Sequence, residues 1–237
     1  MNQPIWTKNF ISVSLVNLFI FTTFYSLLTT LPLYVIYQIG GTEAQGGLVV
    51  TAMLIAAIIM RPFSGQLLER FGKKRMLIGS AIAFAITNIG YFWMDQFDAL
   101  MVLRFVHGIS FAIVTTATSA IAADIVPAKR QGEGLGYFTM FMNVAVVIGP
   151  FIGLTVTQYF TFTALFQVLS CFAFVSIVFA LLLKEPEQEK NTKPAFAMSL
   201  QELFEFRALP FSFIGLLVAF AYSGIISFIS VFAKHQA

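Results

Sequence analysis

The sequence predicts an all-α membrane protein: a bundle of six hydrophobic helices, a polar linker and one further membrane helix. Three observations predict it. Apolar residues make up 58% of the 237-residue chain and charged residues only 11%, whereas a soluble domain carries about 25% charged residues. The mean hydropathy is +0.85. The Lys and Arg residues gather in alternate connections between long apolar runs. Such a composition suits the bilayer as solvent, where helices satisfy their own backbone polar groups.

About 20 apolar residues cross the hydrocarbon. Spans are expected near 10–36, 46–68, 76–94, 99–123, 136–157, 163–183 and 209–232. The first uncharged run, Asn9 to Thr42, exceeds the roughly 7–15 residue core of a signal peptide, so it reads as a retained span. Gly134 to Leu183 also lacks charge. At about 1.5 Å per residue it is too long for one crossing, and it breaks at Gln158-Tyr159-Phe160-Thr161.

The connections after spans 1, 3 and 5 hold Glu43, Asp95 and Asp98 but no Lys or Arg. Those after spans 2, 4 and 6 hold Arg70, Lys73, Lys74, Arg75, Lys129, Arg130 and Lys184, and Lys8 precedes span 1. The positive-inside rule then predicts a cytoplasmic N-terminus, an outward C-terminus and residence in the cell (inner or plasma) membrane. The divisions are residues 1–184 for the bundle, 185–208 for a cytoplasmic linker and 209–237 for helix seven. Within the linker, Ser199 to Arg207 has the pattern of a short amphipathic helix, with Leu200, Leu203 and Phe204 on one face.

The net charge of +3 requires no nucleic acid, and no basic-aromatic stripe is present. A lone cysteine, Cys171, allows no intrachain disulfide and fits a packing role. No spacing of His and Cys suggests a metal, and no nucleophile–base pair suggests an enzyme. The chain is therefore expected to need no cofactor.

The connection between spans 2 and 3 is the most informative stretch, Gly65-Gln66-Leu67-Leu68-Glu69-Arg70-Phe71-Gly72-Lys73-Lys74-Arg75-Met76-Leu77. Its glycines suggest a tight turn and close backbone approach. Its cations anchor it in the cytoplasm. Glu69, an acid at a helix end among cations, is expected to be paired. With Gly65, Leu67, Arg70, Gly72, Lys74 and Leu77 in register, this stretch resembles the signature loop of the major facilitator superfamily. Lys73 replaces a family Arg, and Glu69 a family Asp. The resemblance implies a major facilitator-type six-helix N-terminal bundle. It also implies a conformational latch in which Glu69 meets Lys73 and Asp124, the acid at the inner end of span 4.

In span 4, Arg104 reads as the only charge well inside a predicted span, which marks function by default unless the side chain snorkels to water. His107 and Gly108 share its face. Leu100-x-x-x-Arg104-x-x-His107-Gly108 resembles the family's span-4 motif, with His for Gln, and implies a part in proton coupling or in bonding the arginine. In span 5, Ala145, Gly149, Pro150 and Gly153 offer a small-residue face and a proline bend. They resemble the family's antiporter motif, from which Ala145 and Leu154 depart. Asn17, Thr22 and Tyr25 of span 1 and Asn143 of span 5 are the candidate lining of a midplane substrate cavity.

The leading functional expectation is a secondary transporter working by alternating access, exporting drugs or small metabolites in exchange for protons. Its partners would be the lipid bilayer, a small-molecule substrate and protons. Since the family builds two six-helix halves, a further C-terminal half is expected beyond this one. The other readings are a truncated, non-transporting fragment that binds partners and a seven-helix receptor, the latter opposed by the cytoplasmic N-terminus.

Overall fold

The computed structural model describes residues 4–184, 209–218 and 220. The first of its two compact units, residues 1–195, contains α1 (Lys8–Tyr34), α2 (Glu43–Phe71), α3 (Lys73–Gly90), α4 (Phe97–Ile125), α5 (Gln131–Tyr159) and α6 (Phe162–Leu182). All six are long and apolar enough to cross a membrane, and their bounds lie within a few residues of the expected spans. The helix order and charge positions give the bundle a basic end, holding the α2–α3 and α4–α5 connections, and an acidic end, holding Glu43, Asp95 and Asp98.

Local chemistry sets the helix limits. Thr7, Thr42 and Thr161 cap α1, α2 and α6 by accepting from backbone N–H groups in the first turn, and Gln45 completes a capping box with Thr42. The end of α1 widens into a π-helical turn, Val35–Ile39, which stops at Gly40 with φ 75°. At the other end of the bundle, Asn9 closes α1 against α6. Its Nδ2 donates to the Lys184 carbonyl at 3.1 Å and its Oδ1 accepts from the Lys184 N–H at 3.0 Å.

The helices pack α2 on α4, α1 on α5, α3 on α4 and α6, and α1 on α6. Small residues make the closest approaches, as expected where lipid removes the hydrophobic drive and van der Waals fit decides. A Cβ at Gly108 of α4 would lie 2.4 Å from the Met53 carbonyl oxygen of α2. A Cβ at Gly149 of α5 would lie 2.7 Å from Tyr25 Cβ, and one at Gly153 2.9 Å from Thr30 Cγ2, both on α1. Ser26 Oγ donates to the Gly149 carbonyl at 2.6 Å across the same seam.

The second unit, residues 196–237, contributes one described helix, α7 (Leu209–Val218). It is the first part of the seventh expected span. The linker, its amphipathic helix and the remainder of span seven lie outside the described residues.

Candidate functional site

Two groupings stand out. The first lies in the membrane interior near the acidic end. Arg104 on α4 is fully buried, so it does not snorkel to water. Its Nε donates to the Val49 carbonyl of α2 at 3.1 Å, and its Nη1 to the Tyr91 hydroxyl at 3.3 Å. Tyr91 lies in the 3-10 turn that ends α3. Its hydroxyl is also 2.9 Å from Nδ1 of His107, one turn along from Arg104.

The direction of that last bond follows from a count of orphans. Tyr91 has one proton to give and no acceptor other than His107 among the described residues. If His107 Nδ1 were the donor, the buried Tyr91 O–H and the lone pair of His107 Nε2 would both be stranded. If Tyr91 donates, only the Nε2–H is stranded, and Nε2 has no partner in either case. Stranding a buried polar group costs about 1–3 kcal/mol, so Tyr91 donates and His107 is the neutral, Nε2-protonated tautomer. The chain runs Arg104 to Tyr91 to His107 and ties α2, α3 and α4 together. Among the described residues Arg104 makes no ion pair. Its charge is borne by a carbonyl and by the oriented Tyr91 hydroxyl.

The second grouping is the turn at the basic end. Gly72 alone separates α2 from α3, with φ 88° and ψ 137°. A side chain rarely adopts that conformation, which accounts for the glycine. Lys73 Nζ then lies 2.5 Å from Asp124 Oδ2, with both side chains partly exposed. Lys73 is the first residue of α3 and Asp124 is in the last turn of α4. Each charge thus stands at the helix end whose dipole opposes it, and each is offset by the other.

Other expected members of this turn take different places. Glu69 is exposed and makes no ion pair among the described residues. The structure does not bring it to the Lys73–Asp124 pair; its side chain is exposed in the last turn of α2. Among the described residues a Cβ at Gly65 would meet nothing within 4 Å, nor would one at Gly72, so neither glycine marks a close approach there. Leu67 packs against the core, Lys74 is half-buried and Arg70 lies 5.3 Å over the Phe71 ring. Nearby, Arg130 holds Glu133 through two bonds of 2.9 and 2.7 Å.

The four candidates for the midplane cavity take different places in the bundle. Asn17 is buried and its Oδ1 accepts from Thr118 Oγ1 of α4 at 3.3 Å. Thr22 is buried beside α5, with its carbonyl against Gly149. Tyr25 is half-buried among Phe21 and Phe24, and Asn143 is exposed on α5. Two of the four therefore serve helix contacts. None of the four lines the cavities of about 430 Å³ at the acidic end. In α5, Ala145, Gly149 and Gly153 are buried in the seam with α1, and the helix continues through Pro150.

Sequence reasoning passed over two residues. Arg61 lies within the expected second span, so Arg104 is not the only intramembrane charge. Arg61 is exposed on α2 beside Pro62, and a count of charges in each span would have found it. Tyr91, the hub of the buried chain, carried no signal beyond being an aromatic near a helix end.

Residues 13–237 match the model of the Major Facilitator Superfamily. The chain is similar to the quinolone resistance protein NorA of Staphylococcus aureus, with 30% identity over 154 residues, 65% of this chain and 38% of the relative. It is also similar to a Na(+), Li(+), K(+)/H(+) antiporter of Planococcus maritimus, with 28% identity over 187 residues, 76% of this chain and 42% of the relative. In fold it is similar to the crystal structure of the peptide transporter POT in complex with sulfate. The TM-score is 0.66 at 17% identity, covering 92% of this chain and 46% of that one. The chain thus spans about two fifths of the length of the curated relatives it matches. Its six apolar helices, its glycine turn and the near-full-length match settle its kinship: this multi-pass membrane protein belongs to the Major Facilitator Superfamily, a family of transporters and not of enzymes or seven-helix receptors.

Proposed function

We propose that this chain supplies the N-terminal half of a secondary transporter that exports small molecules by alternating access in exchange for protons. Its basic end and N-terminus face the cytoplasm. The observation that carries the reading is the Lys73–Asp124 pair. A lysine opening α3 and an aspartate closing α4 are each disfavoured by the local helix dipole. An exposed ion pair of this kind adds only about 0–1 kcal/mol. A contact that is costly to place and weak to hold suits a bond that forms and opens as helices shift. Gly72 beside it gives α3 a one-residue pivot on α2.

The relatives support the direction and the coupling: one is named for resistance to quinolones and the other for exchange of cations against protons. Within the reading, Arg104, Tyr91 and His107 join α2, α3 and α4 near the acidic end, and the movement is at their basic ends. His107 serves as a neutral acceptor, since a proton on Nδ1 would break its bond from Tyr91. Transport requires a second six-helix bundle, within one polypeptide or as a partner. Proton-driven movement of a substrate tests the proposal, with the Lys73–Asp124 pair as its internal control.

A further inference from the structure

A charge stands uncovered on α2. Arg61 lies ten residues before Phe71, the last residue of that helix, which at about 1.5 Å per residue is about 15 Å from its basic end. It is exposed and makes no ion pair among the described residues. An arginine at that depth is costly against hydrocarbon, so it faces water or protein. Snorkelling to the basic end runs against the helix. α2 starts at the acidic end, and each Cα–Cβ bond tilts towards the helix N-terminus, so the side chain leaves the backbone towards the bilayer middle. Ala57 and Ser64, a turn to either side, are buried, whereas Ile58 and Gly65 are exposed. Arg61 thus stands where the packed face of α2 meets its open face. Gly65 leaves room one turn away, since among the described residues a Cβ there would meet nothing within 4 Å.

No described carboxylate answers this charge. Glu43, Glu69, Asp95, Asp98, Asp124 and Glu133 all stand in the first or last turn of a helix or in a connection. Glu69, on the same helix, is about 12 Å further along the axis, on the side from which the arginine leans away. The other interior cation, Arg104, is fully buried and spent on the Val49 carbonyl and the Tyr91 hydroxyl. Among the described residues, the interior of this bundle therefore holds one uncommitted charge, and it is positive. A guanidinium offers parallel N–H donors that match a carboxylate, and it repels a cationic compound.

We propose that Arg61 receives the anionic group of the transported compound, so that the substrates are organic acids or zwitterions bearing a carboxylate. This rests on the transport reading above and names the substrate class for it. The test uses this chain assembled with a second six-helix bundle, in maltoside micelles with no gradient imposed. Equilibrium dialysis measures the binding of three acids and their amides: benzoate and benzamide, cinnamate and cinnamamide, 2-naphthoate and 2-naphthamide. At least one acid should bind saturably and tenfold or more tighter than its amide. Arg61→Gln should erase that preference with helix content preserved, and Arg61→Lys should keep part of it. Lys129→Gln, an exposed cation at the basic end, should leave it unchanged. No saturable binding of any acid, equal binding of acid and amide, or a preference that survives Arg61→Gln would each overturn the proposal. Equal loss of acid and amide binding in Arg61→Gln would assign the arginine to a carboxylate of the second bundle, and displacement of the acids by phosphatidylglycerol would assign it to a lipid headgroup. Either result overturns the proposal. An Arg61-dependent acid preference without proton-driven uptake would fail the transport reading alone, and uptake without that preference would fail this inference alone.

Discussion

The Tyr91 hydroxyl stands between Arg104 Nη1 at 3.3 Å and His107 Nδ1 at 2.9 Å, accepting from the first and donating to the second. One phenol thus orients a buried guanidinium and sets the tautomer of a buried imidazole. Tyr91→Phe should strand a donor on Arg104 and an acceptor on His107. The expected cost is about 1–3 kcal/mol for each stranded group. His107→Gln keeps an acceptor and should cost about 1 kcal/mol or less, whereas His107→Leu strands the tyrosine proton and should cost about as much as a stranded group. Thermal unfolding of the purified chain in detergent, followed by circular dichroism, ranks the three. A ranking with Gln as damaging as Leu would contradict a stabilising hydrogen bond between Tyr91 and residue 107.

The glycines separate into those that need to be glycine and one that does not. Gly108→Ala would place a methyl 2.4 Å from the Met53 carbonyl oxygen, and forcing such a contact apart costs about 1–3 kcal/mol or more. Gly65→Ala meets open space in a helix and should be neutral or stabilising by up to about 1 kcal/mol. The same unfolding assay distinguishes them.

Gly72 is required for its backbone angle, not for space. Gly72→Ala should lower stability by about 1–3 kcal/mol, the usual cost of holding a side chain in a sparsely populated conformation. An unchanged midpoint would mean that the α2–α3 connection relaxes to another angle.

The orientation of the bundle is open to direct labelling. In a Cys171→Ser background, Ala44→Cys at the acidic end should react with an impermeant maleimide in intact cells. Ala128→Cys at the basic end should react only after lysis. Both positions are exposed. The reverse pattern would invert the proposed topology.

Much of this architecture was readable beforehand. Long apolar runs and the alternation of Lys73, Lys129 and Lys184 with Glu43 and Asp95 mark the crossings, because hydrocarbon admits few charges and helices need about 20 residues to cross it. Gly149 and Gly153 stood out as a small-residue face and Gly108 as a neighbour of Arg104, and all three sit in close helix contacts. The polar residues were less legible. Asn17 and Thr22 look the same in a sequence whether they line a cavity or bond a neighbouring helix. Only packing shows that Asn17 meets Thr118. Glu69 looked like half of a pair, yet its side chain is exposed and makes no ion pair among the described residues. The acidic-end cavity escaped notice because Tyr34, Phe92 and Phe166 come from three distant segments, and Phe is abundant throughout the chain.

The most direct test is proton-driven transport in proteoliposomes, using this chain together with a second six-helix bundle in one polypeptide or as a partner. An imposed pH gradient should drive accumulation of at least one compound of a fluorescent drug panel, and a protonophore should abolish it. Lys73→Asp and Asp124→Lys should each reduce the rate tenfold or more, and the two together should restore a substantial part of it. Accumulation that ignores both the protonophore and the charge reversals would contradict the account.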